Sequence, residues 1–316
     1  MELFAIILTI AGLALFEIIS SIDNAVINAE VLTKMSDKAK RWFLRYGLII
    51  AVFGVRLALP LFILWIANPA YSPIDLLMSA FSDDPKVARA VEASAPMLLM
   101  SGGIFLVFLF FHWLFLEPKN FGLRSEKFFF RQGVWFYAVV SILLAVITWF
   151  ALQKDPMIAF AAVVGSSAFF IIHGFKQNAA EREKEMLEGK GSSEMGDWSK
   201  IFYLEAIDAT FSIDGVIGAF AYTMSIPLIM IGSGLGALVV REMTIRNIET
   251  VRKYKYLKNG AMYSILFLGI VMLADVFEMN VPSYATPIAT FLIIGYFFYR
   301  SKIELKNVEA ALKISA

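Results

Sequence analysis

Cysteine is absent from this chain of 316 residues, and histidine occurs only twice, at His112 and His173. The first absence excludes disulfides, thiolate metal sites and redox thiols; the second leaves too few imidazoles for histidine-rich metal enzymology. Charge is also scarce. Asp, Glu, Lys and Arg make up 17% of the residues and hydrophobic residues 59%, whereas soluble domains carry about 25% and about 45–50%. The net charge of +1 offers no electrostatic basis for a nucleic-acid partner. Met1-Glu2-Leu3 lacks the basic region of a signal peptide, and the apolar run behind it outlasts a signal core, so it reads as a retained span. What fills the chain instead is a series of long apolar runs, with a mean hydropathy of +0.70. That combination reads as an integral membrane protein embedded in the lipid bilayer.

Hydropathy places about nine helices, near 5–33, 46–67, 96–116, 133–152, 157–175, 200–223, 226–241, 260–279 and 284–300. The expected fold class is all-α, a polytopic membrane helix bundle. Basic residues alternate between connections: Lys34, Lys38, Lys40, Arg41 and Arg45 crowd the first, Lys86 and Arg89 are all the second has, and the rhythm continues to the tail at Arg300 and Lys302. The positive-inside rule then puts the N-terminus outside and the C-terminus in the cytoplasm. The segment 68–95 reads as a turn-rich external loop, and 176–199 as a short exposed helix plus flexible linker.

Two stretches break the apolar pattern. Glu17-Ile18-Ile19-Ser20-Ser21-Ile22-Asp23-Asn24-Ala25 lies inside the first span, and Asp208-Ala209-Thr210-Phe211-Ser212-Ile213-Asp214 inside the sixth. Both read acid, a short gap, then Ser-Ile-Asp. An ionisable residue at bilayer depth costs at least about 2.5 kcal/mol, so each marks a functional hypothesis. Five spans separate the starts of the two motif helices, so they cross in opposite directions and form an inverted repeat, whose sites usually lie at the midplane. The first repeat covers about 5–116, inserted helices about 117–199, the second repeat about 200–300 and a cytoplasmic tail 301–316. Each motif span is followed by one bearing glycines and an arginine: Gly47, Gly54 and Arg56, then Gly232, Gly236 and Arg241. Arg56 is deep enough to need a partner, and a motif carboxylate is the obvious one; Arg241 sits at a helix end, where snorkelling is the expected account.

On a regular helix Glu17, Ser20, Ser21, Asn24 and Asn28 share one stripe, while Asp23 lies about 240° round from Glu17. Glu205, Asp208 and Ser212 share another stripe, and Asp214 departs from Asp208 by the same angle. Either the two aspartates face other helices or both helices are interrupted there. The donors are all oxygens: carboxylates of Glu17, Asp23, Glu205, Asp208 and Asp214, the Asn24 amide, and hydroxyls of Ser21 and Ser212. Such a set suits hard divalent cations such as Mn²⁺, Mg²⁺ or Ca²⁺ as the transported substrate, with no resident cofactor. Titratable carboxylates in a low-dielectric site also open exchange of protons for metal.

At these residues the chain resembles the TerC family, membrane proteins named for tellurium resistance. The likeness rests on Glu17 to Ala25, on Asp208 to Asp214, and on the glycine- and arginine-bearing helices that follow each. It implies a lysine-exporter-like fold and a divalent-metal exporter, chiefly for manganese, in a bacterial inner membrane. By that likeness Asp23, Asn24 and Asp214 would touch the metal, with Glu17, Glu205 and Asp208 supporting, and export rather than uptake rests on the likeness alone. The helices inserted between the halves exceed the compact family pattern and mark a divergent branch.

Two other functions were weighed. One is a membrane component that senses metal or loads it into exported proteins without net flux. The other is an enzyme, an intramembrane aspartyl protease, whose Gly-x-Gly-Asp signature is missing because Asp214 follows Phe211-Ser212-Ile213. The expectation is therefore a transporter, not an enzyme.

Overall fold

Lipid offers the backbone no hydrogen-bond partners, so a spanning segment must satisfy its own, and a helix does this within one stretch of chain. In the computed structural model every regular element among the described residues is helical. The described residues are 3–33, 35–47, 50, 54, 56–80, 85–119, 121–187, 196–246, 253–279 and 281–315.

The first apolar stretch forms α1 (Leu3–Ser20) and α2 (Ile22–Thr33), followed by α3 (Asp37–Trp42) and a π-helical turn at Phe43–Gly47. Next come α4 (Arg56–Ala67), α5 (Pro73–Ala80), the long α6 (Pro85–Leu116) and α7 (Arg124–Arg131). Helices α8 (Phe136–Lys154) and α9 (Pro156–Leu187) make a hairpin. The second motif lies on α10 (Asp197–Phe211) and α11 (Ile213–Ala219), and α12 (Ile226–Arg246), α13 (Leu257–Val276) and α14 (Ala285–Ser315) follow.

Among the described residues six segments are long and apolar enough to cross a bilayer: Leu3–Ser20, Val91–Leu116, Gly133–Lys154, Pro156–Asn178, Ile226–Thr244 and Leu257–Val276. The other three expected spans take different forms. Arg56–Ala67 is apolar but only 12 residues long; the 200–223 stretch is divided between α10 and α11; and α14 turns charged from Arg300 onward. The segment 68–95 is not a plain loop. It contains α5 and the first turns of α6, with Pro73 and Pro85 at first helical positions, where a missing N–H leaves nothing unsatisfied. Within 176–199, α9 continues to Leu187, and the linker at 188–195 lies outside the described residues.

Local chemistry accounts for the α8–α9 hairpin. Asp155 Oδ1 accepts from the Met157 N–H at 2.7 Å, and Pro156 takes the first helical position. This is an aspartate cap followed by a proline that enters the helix with its φ already set. Helix α9 then packs on α6 so closely that a Cβ at Gly165 would lie 2.2 Å from the Ser101 carbonyl oxygen. In lipid, helices associate largely through such backbone proximity. Because that neighbour is backbone, it cannot step aside. Gly165→Ala is expected to destabilise the protein by about 1–3 kcal/mol through overpacking, whereas Gly174→Ala on the same helix, with nothing within 4 Å, should be neutral or slightly stabilising. Thermal unfolding of the two variants in detergent checks the contrast.

Apart from the contacts of the polar site, several hydrogen bonds and ion pairs tie neighbouring elements together near the helix ends. Lys154 Nζ donates to Val276 O and pairs with Glu278, and Asn68 donates to Ser94. Ser36 donates to Asp197, Lys258 pairs with Glu117, Asn259 donates to Glu126, and the Tyr256 N–H donates to Ser301. The hydrogen bond from Ser36 holds the Asp197 carboxyl below its ordinary value. Asp275 caps its own turn by accepting from the Val281 N–H at 3.1 Å.

Candidate functional site

Both motif helices are interrupted, and at the same place. The helix breaks at Ser21 and again at Ser212, in each case the serine of Ser-Ile-Asp. The Ser212 hydroxyl donates back to the Asp208 carbonyl at 2.7 Å, and the Ser20 hydroxyl to the Glu17 carbonyl at 3.3 Å. Hydroxyls in such positions compete with the backbone for helix carbonyls, a recognised local cause of helix irregularity. The pieces pack in reversed order: α1 touches α11, and α2 touches α10. The two motif helices therefore run antiparallel.

Glu17 lies at the centre, 2% exposed. Its Oε1 accepts from the Ser21 hydroxyl at 2.9 Å and is paired with Arg56, which is itself 3% exposed. The partner expected for Arg56 is thus a motif carboxylate, Glu17. Around this pair the packing is close: a Cβ at Gly236 of α12 would sit 2.6 Å from Glu17 Cβ, and one at Gly215 of α11 3.1 Å from Glu17 Oε2. Small residues let four helices close on one carboxylate.

Arg241 differs from expectation. It does not snorkel out but turns inward, stacking its guanidinium 4.1 Å over the Phe43 ring and donating to the Phe43 carbonyl. Glu205 lies beside it. Both occupy the space where a side chain at Gly47 would go, with Glu205 Oε1 2.0 Å and Arg241 Nη2 2.6 Å from an ideal Cβ there. Absence of a side chain at Gly47, closing the π-helical turn, makes room for an inward arginine.

A small cavity of about 30 Å³ joins these elements, lined among others by Ser21, Asn28, Arg56, Asp208, Arg241 and Thr244. It has room for roughly one or two waters. Asn28 is 6% exposed and its Oδ1 has no hydrogen-bond partner. Ser21, Arg56, Asp208 and Arg241 are therefore brought together around one cavity, with Glu17 paired to Arg56, Glu205 beside Arg241, and Ser212 bonded to the Asp208 carbonyl. Asp214 is placed differently. Its Oδ2 pairs with Lys176 of α9 at 2.5 Å, and its buried Oδ1 has no hydrogen-bond partner. The side chains of Asp23 and Asn24 lie outside the described residues. Among the described residues no group of three or more His, Asp or Glu side chains is gathered as a metal cage.

The sequence reading passed over Lys176. Its only signal was a lysine one turn after His173, near the end of an apolar run, which looks like an ordinary flanking charge. The two histidines, His112 and His173, lie against each other with ring centroids 3.8 Å apart.

These features define a polytopic all-α membrane protein with a buried polar site, holding the Arg56–Glu17 ion pair, between two antiparallel interrupted helices. The chain belongs to the family described as "Protein of unknown function (DUF475)", whose model matches residues 22–308. It is also similar to the "Uncharacterized membrane protein YceF" of Bacillus subtilis (strain 168), 27% identical over 85 residues, 27% of this chain. The matched stretch spans about a third, 33%, of that relative's length. No solved structure matches the chain.

Proposed function

We propose that this protein is a transporter of a hard divalent cation, Mn²⁺ foremost, using the acids of its two motifs as the binding groups. The observation that carries the reading is the duplicated acid and Ser-Ile-Asp motif on two antiparallel helices, both interrupted at the motif serine. A one-off buried acid is readily a structural contact. Two matched copies meeting in opposite orientation are the pattern of transporters with inverted repeats and midplane sites. The resemblance to TerC proteins supports the metal, the export direction and a bacterial inner membrane. The charge rule supports an external N-terminus and a cytoplasmic C-terminus. Oxygen-only donors support a hard cation over a soft one, and exchange against protons is the coupling these carboxylates allow. No enzymatic step or resident cofactor enters this reading.

The experiment is Mn²⁺ flux into proteoliposomes. Flux should fall about 10–100-fold or more in Asp23→Ala and in Asp214→Ala. Unaltered flux in both variants would reject the site. The pairing of Glu17 with Arg56 and of Asp214 with Lys176 favours a second reading, a membrane component that senses or hands over metal without moving it. Saturable Mn²⁺ binding by the wild type with no flux would select that one.

A further inference from the structure

The second motif's aspartate is neutralised by a residue from outside both motif halves. Lys176 sits on α9, in the inserted helices, and reaches Asp214 across 38 positions of sequence. Both side chains are largely withdrawn from solvent, at 11% for Lys176 and 15% for Asp214. A pair of opposite charges taken out of water persists only while each has the other.

Three details separate this pair from Glu17 and Arg56. First, the Asp214 carboxylate is half used: Oδ2 has the ammonium, while the buried Oδ1 has no hydrogen-bond partner. Second, the cation is a lysine. An ammonium is a compact point charge on a flexible stem, whereas a guanidinium is a planar fork. Third, Lys176 falls in the last turn of the span Pro156–Asn178. A long stem at that level can swing its head to the membrane interface, so leaving Asp214 does not strand the charge in lipid. Arg56, by contrast, is only 3% exposed and lies at the start of α4, within the apolar stretch.

We infer that Lys176 is a tethered stand-in for the transported cation: it occupies Asp214 in the closed protein and swings away when a divalent cation takes that carboxylate. The inference rests on the cation-transport reading and names the residue that competes with the substrate within it. Lys176 is a positioning and competing residue, not a ligand. It holds Asp214 ready and neutral in the absence of cargo, and it sets how much affinity a cation must bring to displace it.

The test uses the full chain in detergent or nanodiscs with Mn²⁺ alone as probe, measuring binding by calorimetry and the Mn²⁺-induced shift in Tm. Lys176→Met should bind Mn²⁺ about tenfold or more tightly than the wild type, the scale on which an adjacent opposite charge alters a carboxylate's cation affinity. It should also be less stable without metal and show a larger Mn²⁺-induced rise in Tm. Lys176→Arg should keep wild-type affinity, and adding Asp214→Asn to Lys176→Met should abolish the gain. A merely structural lysine would give a less stable Lys176→Met variant with unchanged affinity and an unchanged metal shift. That outcome, alongside weakened binding in Asp214→Asn, overturns this inference and leaves the transport reading standing. Absence of Mn²⁺ binding in every variant, wild type included, overturns the transport reading and this inference with it.

Discussion

Glu17→Ala is expected to cost about 3–5 kcal/mol of stability, because it strips the carboxylate from a guanidinium that is almost wholly removed from water. The side chains of Glu17 and Arg56 are 2% and 4% exposed, so neither is screened by solvent. Such a pair is costly to break and need not be costly to replace. Exchanging both members for apolar groups of similar volume is often neutral or stabilising by about 1–4 kcal/mol. Glu17→Leu combined with Arg56→Met should therefore recover most of the stability lost in either single variant. Thermal unfolding of the four proteins, read as a double-mutant cycle, measures the coupling. Additive single effects would mean that the two charges are not each other's main support. On the proposed transport reading, function should follow a different rule: the double variant folds but loses cation flux, since the cavity's charge pattern is gone.

Gly236→Leu is expected to have the next largest effect, about 3 kcal/mol, at the upper end of what overpacking costs. The position faces α1 with no room: an ideal Cβ lies 2.6 Å from Glu17 Cβ and 2.7 Å from the Ala14 carbonyl oxygen. Replacing glycine inside a helix gains up to about 1 kcal/mol of helix propensity, which is smaller than the cost of separating two helices. Because backbone and a side chain both obstruct, α12 must move away from α1. That shift would widen the cavity at Ala237 and Arg241 and pull Glu17 away from its partner. Lower Tm accompanied by lost Mn²⁺ binding is the expected signature. Wild-type stability in Gly236→Leu would show that the α1–α12 contact is looser than described.

Compensated charge is the theme of the site. Glu17 is held by Arg56, Asp214 by Lys176, and Glu205 lies beside Arg241 at Gly47. A buried carboxylate left without its counter-charge is costly in a low-dielectric bundle. Arg56 and Lys176 supply those counter-charges to Glu17 and Asp214, and on the proposed transport reading a divalent ion would substitute for charge already there.

Much of this was legible in the residues themselves. Membrane class, the helical fold, the position of both motifs and the need of Arg56 for a carboxylate follow from local composition and from the cost of charge in lipid. The angle between Glu17 and Asp23, repeated between Asp208 and Asp214, demanded either separate faces or a break; both helices are interrupted at the motif serine, and in the second motif Asp214 also faces another helix, α9.

What the chain order could not convey is which distant residue fills which gap. Lys176 looks like a flanking lysine until α9 is laid beside α11, and Arg241 looks like a snorkelling end until Gly47, nearly 200 positions earlier, leaves it a space. The reason is physical. Periodicity and hydropathy are properties of one segment, set by its own turn and by water or lipid around it. Ion pairs and close glycine contacts depend on two segments meeting, and only the packed bundle specifies which ones do.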